Sequence, residues 1–160
     1  MVRGLMAAAV LVLLAGCGGS SSGAPRATPT PAKPAEVVFF QRQGAAGATL
    51  DTLTVRADGG ATLQKRYGGA GGRFKELRLK SGELAHVKRD LTRLPSGGSL
   101  TRGSPPPGGA QYLLRVGDRT LTGREGGIAP AARPLVRRLD GYIDGIGVRE
   151  VKTDVSTHRP

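Results

Sequence analysis

The chain has 160 residues, 24 Lys and Arg against 12 Asp and Glu, a formal charge of +12, one cysteine, two histidines and no tryptophan. A single cysteine excludes an intramolecular disulfide, and two histidines with one cysteine fall short of a zinc ligand set at recognisable spacing. So high a positive charge points to polyanions, but the basic residues are not interleaved with aromatic stacking platforms, which argues against nucleic acid.

In chain order the first feature is an N-terminal segment. Arg3 supplies a positive start, Leu5 to Ala15 an apolar run, and Leu14-Ala15-Gly16-Cys17 a run of small residues closed by the only thiol. The apolar run is shorter than the about 20 residues that cross a bilayer. These residues resemble the lipobox of bacterial lipoproteins. The resemblance implies recognition of Leu14, Ala15 and Gly16 by the lipoprotein signal peptidase, a cut before Cys17, and lipidation of the Cys17 thiol with palmitate-type acyl chains. Residues 1–16 are then the signal peptide. The alternatives are an ordinary secretory signal with a chance cysteine, or a short buried helix.

Residues 17–35 follow as the lipidated cysteine and a tether of Gly, Ser, Ala, Thr and Pro, including Pro25, Pro29, Pro31 and Pro34. Such a composition lacks the apolar surface to offset ordering entropy, and its expected reach is roughly 25 to 50 Å. Loss of the signal peptide removes one basic residue, Arg3, from the charge of +12.

One domain is expected over residues 36–147. Val37 to Phe40 open a strand that ends in the glycines 44 to 47. Leu53 and Val55 alternate with polar residues, Asp58-Gly59 turns the chain, and Leu63 to Tyr67 return as a hairpin. Gly68 to Gly72 lead to a further strand with Phe74, Leu77 and Leu79. Ser81 is placed as the N-cap of a helix whose Leu84, Val87, Leu91 and Leu94 face the sheet, with Pro95 as its stop. Ser96 to Gly109 are read as a long loop, mobile or functional. Tyr112, Leu114 and Val116, the turn Gly117-Asp118 and Leu121 make a second hairpin. Pro130 and Pro134 introduce a last helix with Leu135, Leu139, Ile143 and Ile146, and residues 148–160 are expected to be a polar tail.

These elements predict an α+β domain, an antiparallel sheet of hairpins with two helices packed on one face. Phe39 to Gly47, the Ser81 helix ending in Leu94-Pro95, Tyr112 to Val116, and Glu125-Gly126-Gly127-Ile128-Ala129-Pro130 with Arg133-Pro134-Leu135 resemble the small exported lipoproteins of GC-rich Gram-positive bacteria. More distantly they are similar to emfourin-type inhibitors of thermolysin-like metallopeptidases. No inhibitory residue carries over.

Catalysis requires particular side chains, and the sequence offers few. His86 lies beside the apolar stripe of the first helix and His158 in the tail, so no metal ligand and no cofactor is assigned. There is no nucleophile elbow; Ser96 and Ser99 stand in a Gly-rich turn. Gly68 to Gly72 lack a following Gly-Lys-Ser/Thr and read as a hairpin tip. Asp140 and Asp144, one helical turn apart, are expected to form surface ion pairs with Arg137 and Arg138. No catalytic residue is assigned and the chain is not expected to be an enzyme. The expectation is a lipid-anchored binding domain on the extracytoplasmic side of the cell membrane, with the membrane as partner through Cys17, anionic lipid or wall polymer as further contacts, and a protein partner unknown. The alternatives are a metallopeptidase inhibitor and an enzyme whose site the sequence does not reveal.

Overall fold

Apolar residues at every second position bury one side of each strand in the computed structural model, which describes residues 34–151 apart from 46, 69–71 and 106. The strands are β1 (Glu36–Gln43), β2 (Thr49–Arg56), β3 (Gly60–Tyr67), β4 (Arg73–Leu79), β5 (Gln111–Val116), β6 (Arg119–Arg124) and β7 (Val148–Glu150); the helices are α1 (Glu83–Leu91) and α2 (Arg133–Ile143). One seven-stranded sheet results, in the order β6-β5-β1-β2-β3-β4-β7, with every strand pairing antiparallel. This is a single small α+β domain, as the patterning predicts.

Val38 and Phe40 of β1, Leu53 and Val55 of β2, Leu63 of β3, Leu77 of β4, Leu114 of β5 and Leu121 of β6 form the helix-side layer, all buried. Leu135, Val136, Leu139, Tyr142 and Ile143 bury the facing stripe of α2. Its Pro134 sits in the first turn, where a missing N–H is harmless. The other sheet face carries Thr52, Thr54, Thr62, Gln64 and Arg115, with the Arg115 guanidinium 4.5 Å from the Phe39 ring centre.

Five local expectations are corrected. Ser81 is not the N-cap: Gly82 holds that place at φ 83°, with no side-chain cap. The chain must reverse within three residues of β4, where Lys80 N–H already bonds Gly147 C=O at 3.0 Å, and the left-handed turn this requires suits glycine. The leucine stripe of α1 is only partly buried. Val87 and Asp90 are its buried residues, and the helix packs chiefly on α2 rather than on the sheet.

Ile146 lies past the end of α2 and is exposed, because α2 stops at Ile143 and its stripe continues through Val136 and Tyr142 instead. The segment read as an open loop is tied down at 98–102. Leu100 is fully buried, its N–H bonds Thr122 C=O at 2.7 Å, and Thr101 bridges Ile128. Gly123 permits that approach, since a Cβ there would stand 2.7 Å from Leu100 Cβ. Finally, residues 148–150 are not tail but strand β7, drawn onto β4 by buried Val148 opposite Leu79.

Candidate functional site

Cys17 and its recognition residues Leu14, Ala15 and Gly16 lie outside the described residues, as does His158. Among the described residues no helix is long and apolar enough to cross a membrane, and no group of three or more His, Cys, Asp and Glu is placed to hold a metal ion.

On the helix side of the sheet charged side chains converge in two clusters and one groove, while on the other face Arg56 and Arg78 pair with Asp58 and Arg56 with Glu76. In the first cluster Arg42 leaves β1 towards the helices. Its Nε and Nη2 donate to Asp51 Oδ2 at 3.2 and 2.9 Å, its Nη1 to Asp140 Oδ1 at 3.4 Å, and its Nη2 to Asp144 Oδ1 at 3.3 Å. Tyr112 O–H donates to Asp140 Oδ2 at 3.2 Å. Three carboxylates thus share one guanidinium. Asp140 and Asp144 therefore reach the sheet instead of forming the expected pairs with Arg137 and Arg138, because their face of α2 points at β1 and β2. Asp51 is buried, and its Oδ1 meets no donor among the described residues.

Electrostatics in this cluster favour the proton on one acid, Asp140. Burial raises the pKa of Asp140, and Asp144 adds to the rise, against the opposing pull of Arg42 and Tyr112. Burial also raises the Tyr112 phenol, with Asp140 and Glu125 reinforcing it. For Arg42, burial works against the charge, but hydrogen bonds to Asp51 and Asp144 and the field of Asp140 and Asp144 outweigh it and raise the pKa.

The second cluster clasps α1 to α2. Arg138 donates from Nη1 to Glu83 Oε2 at 2.8 Å and from Nε to buried Asp90 Oδ2 at 3.1 Å, with His86 Nδ1 3.3 Å from Nη1. Tyr142 O–H donates to the same Glu83 oxygen at 2.7 Å. Burial alone would raise the Glu83 pKa, but these donors prevail and lower it. His86 is a boundary residue in this clasp, in keeping with its expected place beside the apolar stripe. In both clusters the acids serve a guanidinium, and Tyr112 and Asp140 of the first also line a cavity of about 350 Å³ with Glu125, Arg133 and Arg137.

A larger space is lined by Tyr142 and Asp144 at the edges of the two clusters. A groove of about 740 Å³ runs between the end of α2 and strands β3, β4 and β7. Leu63, Leu77, Ile143 and Val148 supply its apolar lining and Lys65 and Arg73 its basic side, while its two acids, Asp144 and Glu150, are paired with Arg42 and Lys75. Lys75 is engaged by Glu150 at 2.8 Å, whereas Lys65 and Arg73 have no ion-pair partner among the described residues. The two cations stand directly opposite each other in the β3–β4 register, an arrangement that costs stability when nothing neutralises it. The sequence reading did not single out these residues. Their signal was present in Gln64 to Lys75, which holds four cations and no acid.

Ser96 is exposed beyond α1, and the Ser99 hydroxyl bonds its own turn through Thr101 C=O at 3.0 Å, so neither is placed as a nucleophile. The ends of the 68–72 segment join β3 to β4, the hairpin-tip position expected for it. Comparison of the chain with protein-family models and with curated proteins returns no match to either.

Proposed function

We propose that this chain is a lipid-anchored binding domain on the extracytoplasmic side of the cell membrane, acting by contact and not by catalysis. One observation carries the reading. Arg42, Arg138 and their acids are spent in clusters that hold the fold together, while the groove has an apolar lining and two cations, Lys65 and Arg73, with no ion-pair partner among the described residues. Surfaces of that kind receive ligands, since an uncompensated pair of like charges gains from an arriving anion. The anchor rests on the run Leu14-Ala15-Gly16-Cys17.

The test has one arm on the full chain in cells and one on the purified protein. Cys17→Ala is expected to abolish acyl mass on the mature N-terminus and to release the protein from the lipidated fraction; an unchanged N-terminal mass and unchanged partitioning overturn the anchor. Purified protein is expected to turn over no ester, phosphate or peptide substrate and to leave thermolysin-like peptidases uninhibited. Turnover abolished by His86→Ala, or stoichiometric inhibition, overturns the contact-only reading.

A further inference from the structure

Four large apolar side chains of the described domain are exposed, and two of them, Tyr67 at 53% and Phe74 at 69%, flank the tip of the β3–β4 hairpin. From the same short stretch come Lys65, Arg66, Arg73 and Lys75, with no acid before Glu76. Register places Lys65 and Arg73 opposite each other on the groove side, and Phe74 opposite Gln64 on the other. Tyr67 therefore shares a side with Lys65, while Arg66 shares one with Phe74. The last two residues of β3 and the first four of β4 are all exposed, so this end of the hairpin projects beyond the cover of the helices.

We infer that the projecting end of the β3–β4 hairpin docks on an anionic phospholipid bilayer, with Tyr67 and Phe74 at the headgroup boundary and Lys65, Arg66 and Arg73 on the lipid phosphates. The inference rests on the anchored reading above. Aromatic rings beside cations on exposed strand ends match a surface that is apolar within and anionic at its face, since rings of this kind settle at the interface and the cations are drawn to its negative potential. A soluble polyanion would satisfy the cations but would leave both aromatic rings in water.

Chain length permits the geometry. β1 begins beside the β2–β3 turn, where Glu36 pairs with Arg56, whereas the β3–β4 tip leaves at the other end, where Thr49 pairs with Tyr67. An eight-residue strand separates the two ends, about 27 Å. The stretch from Cys17 to residue 35 has a contour limit of about 60 Å, enough to return along the sheet and let the tip meet the bilayer that holds the lipid. The docked domain would then lie on the membrane, held at both ends, instead of swinging on its tether.

The absence of tryptophan from the chain makes Phe74→Trp a single-site reporter. The lipidated full-length variant is placed in vesicles of phosphatidylcholine with or without phosphatidylglycerol, carrying doxyl-labelled lipid as quencher. Blue-shifted emission and strong quenching are expected only with phosphatidylglycerol. Charge reversal of Lys65, Arg66 and Arg73 should shift the docked-to-undocked ratio by at least roughly a hundredfold. Tyr67→Trp serves as a second reporter and must respond in the same way.

A tryptophan that stays in water in both vesicle types while the protein remains vesicle-bound overturns the docking and leaves the anchored reading standing. Equal quenching in both types, or an emission unmoved by vesicles but shifted by soluble inorganic polyphosphate, overturns it in favour of a charge-independent contact or a free polyanion. Failure of the protein to stay with any vesicle sinks both readings together.

Discussion

Helix α2 is held by two arginines: its own Arg138, reaching to Glu83 and Asp90, and Arg42, reaching from β1 to Asp140 and Asp144. Both guanidiniums are partly exposed and each bonds a buried aspartate, Asp90 or Asp51. Yet the acids respond in opposite senses, Glu83 being shifted down and Asp140 up. Donor count does not separate them, since each acid takes one guanidinium and one phenol. Asp140 receives its donors at 3.4 and 3.2 Å and has Asp144 beside it, so burial and repulsion prevail; Glu83 receives its donors at 2.8 and 2.7 Å on one oxygen, and hydrogen bonding prevails. A buried ion cluster is thus not one kind of object, and its response to acid depends on how closely donors approach each carboxylate and on which other acids lie near it.

Removing the cations should separate the two regions most strongly. Arg42→Met, which strands three carboxylates, is expected to cost about 4 kcal/mol, and Arg138→Met, which strands two, about 3 kcal/mol, read as shifts of the urea unfolding midpoint. Equal costs would mean that the number of acids per cation does not matter.

The pH dependence sharpens the contrast. A lowered folded pKa makes Glu83 contribute stability that is present above its unfolded pKa and lost as pH falls through the folded value. A raised folded pKa makes Asp140 do the reverse, its contribution being full below the unfolded pKa and lost as pH rises through the folded one. Glu83→Gln is therefore expected to cost about 2 kcal/mol at neutral pH and progressively less in acid. Asp140→Asn should cost less at neutral pH and more, relative to the parent, as acid is added. Stability curves from pH 3 to 7 that run parallel for the two variants would contradict this assignment.

Single hydroxyls give smaller effects. Tyr142→Phe should cost about 1 kcal/mol and move the acid limb of the stability curve towards neutral pH, whereas Tyr112→Phe should not move it that way. Smallest is Asp144→Ala, with the side chain 54% exposed: a change below about 1 kcal/mol, and even a gain, since it relieves Asp140. A loss as large as that of Arg42→Met would show Asp144 to be the main partner of that arginine.

The strands were legible because their signal is local. Alternation in Leu53 to Val55 and Tyr112 to Val116, and turns at Asp58-Gly59 and Gly117-Asp118, fix both hairpins without knowledge of the partners. Long-range order was not. β7 has three residues, too few for a period, and exists because Val148 finds Leu79 and β4 offers its edge. Leu100 looked like one apolar residue in a Gly/Ser/Pro loop, and only the glycine at 123 across the gap makes its burial intelligible. The helix N-cap was misplaced by one residue since the backbone reversal, not the serine side chain, decides the start of α1.

The charged network was the least legible part. Arg42, Asp51 and Asp140 come from three elements, and helical spacing alone assigned Asp140 and Asp144 to neighbours on their own helix. The groove shares this difficulty: its apolar lining joins β3, β4, α2 and β7, elements whose adjacency depends on the fold. What the sequence did carry was four cations and no acid between Gln64 and Lys75, visible before any partner was known.

The segment at 98–101 and strand β7 have a common consequence for the sides of the sheet. An open sheet ends in two rows of unpaired N–H and C=O groups, each a template on which another copy can add a strand. Along β6 that row is partly taken, because Leu100 N–H bonds Thr122 C=O and Thr122 N–H bonds Gly98 C=O. On the far side β7 occupies part of β4 with only three residues, two of them the charged Arg149 and Glu150. Growth strand by strand is thus obstructed part-way along both margins, by the 98–101 segment on β6 and by the charged end of β7 on β4.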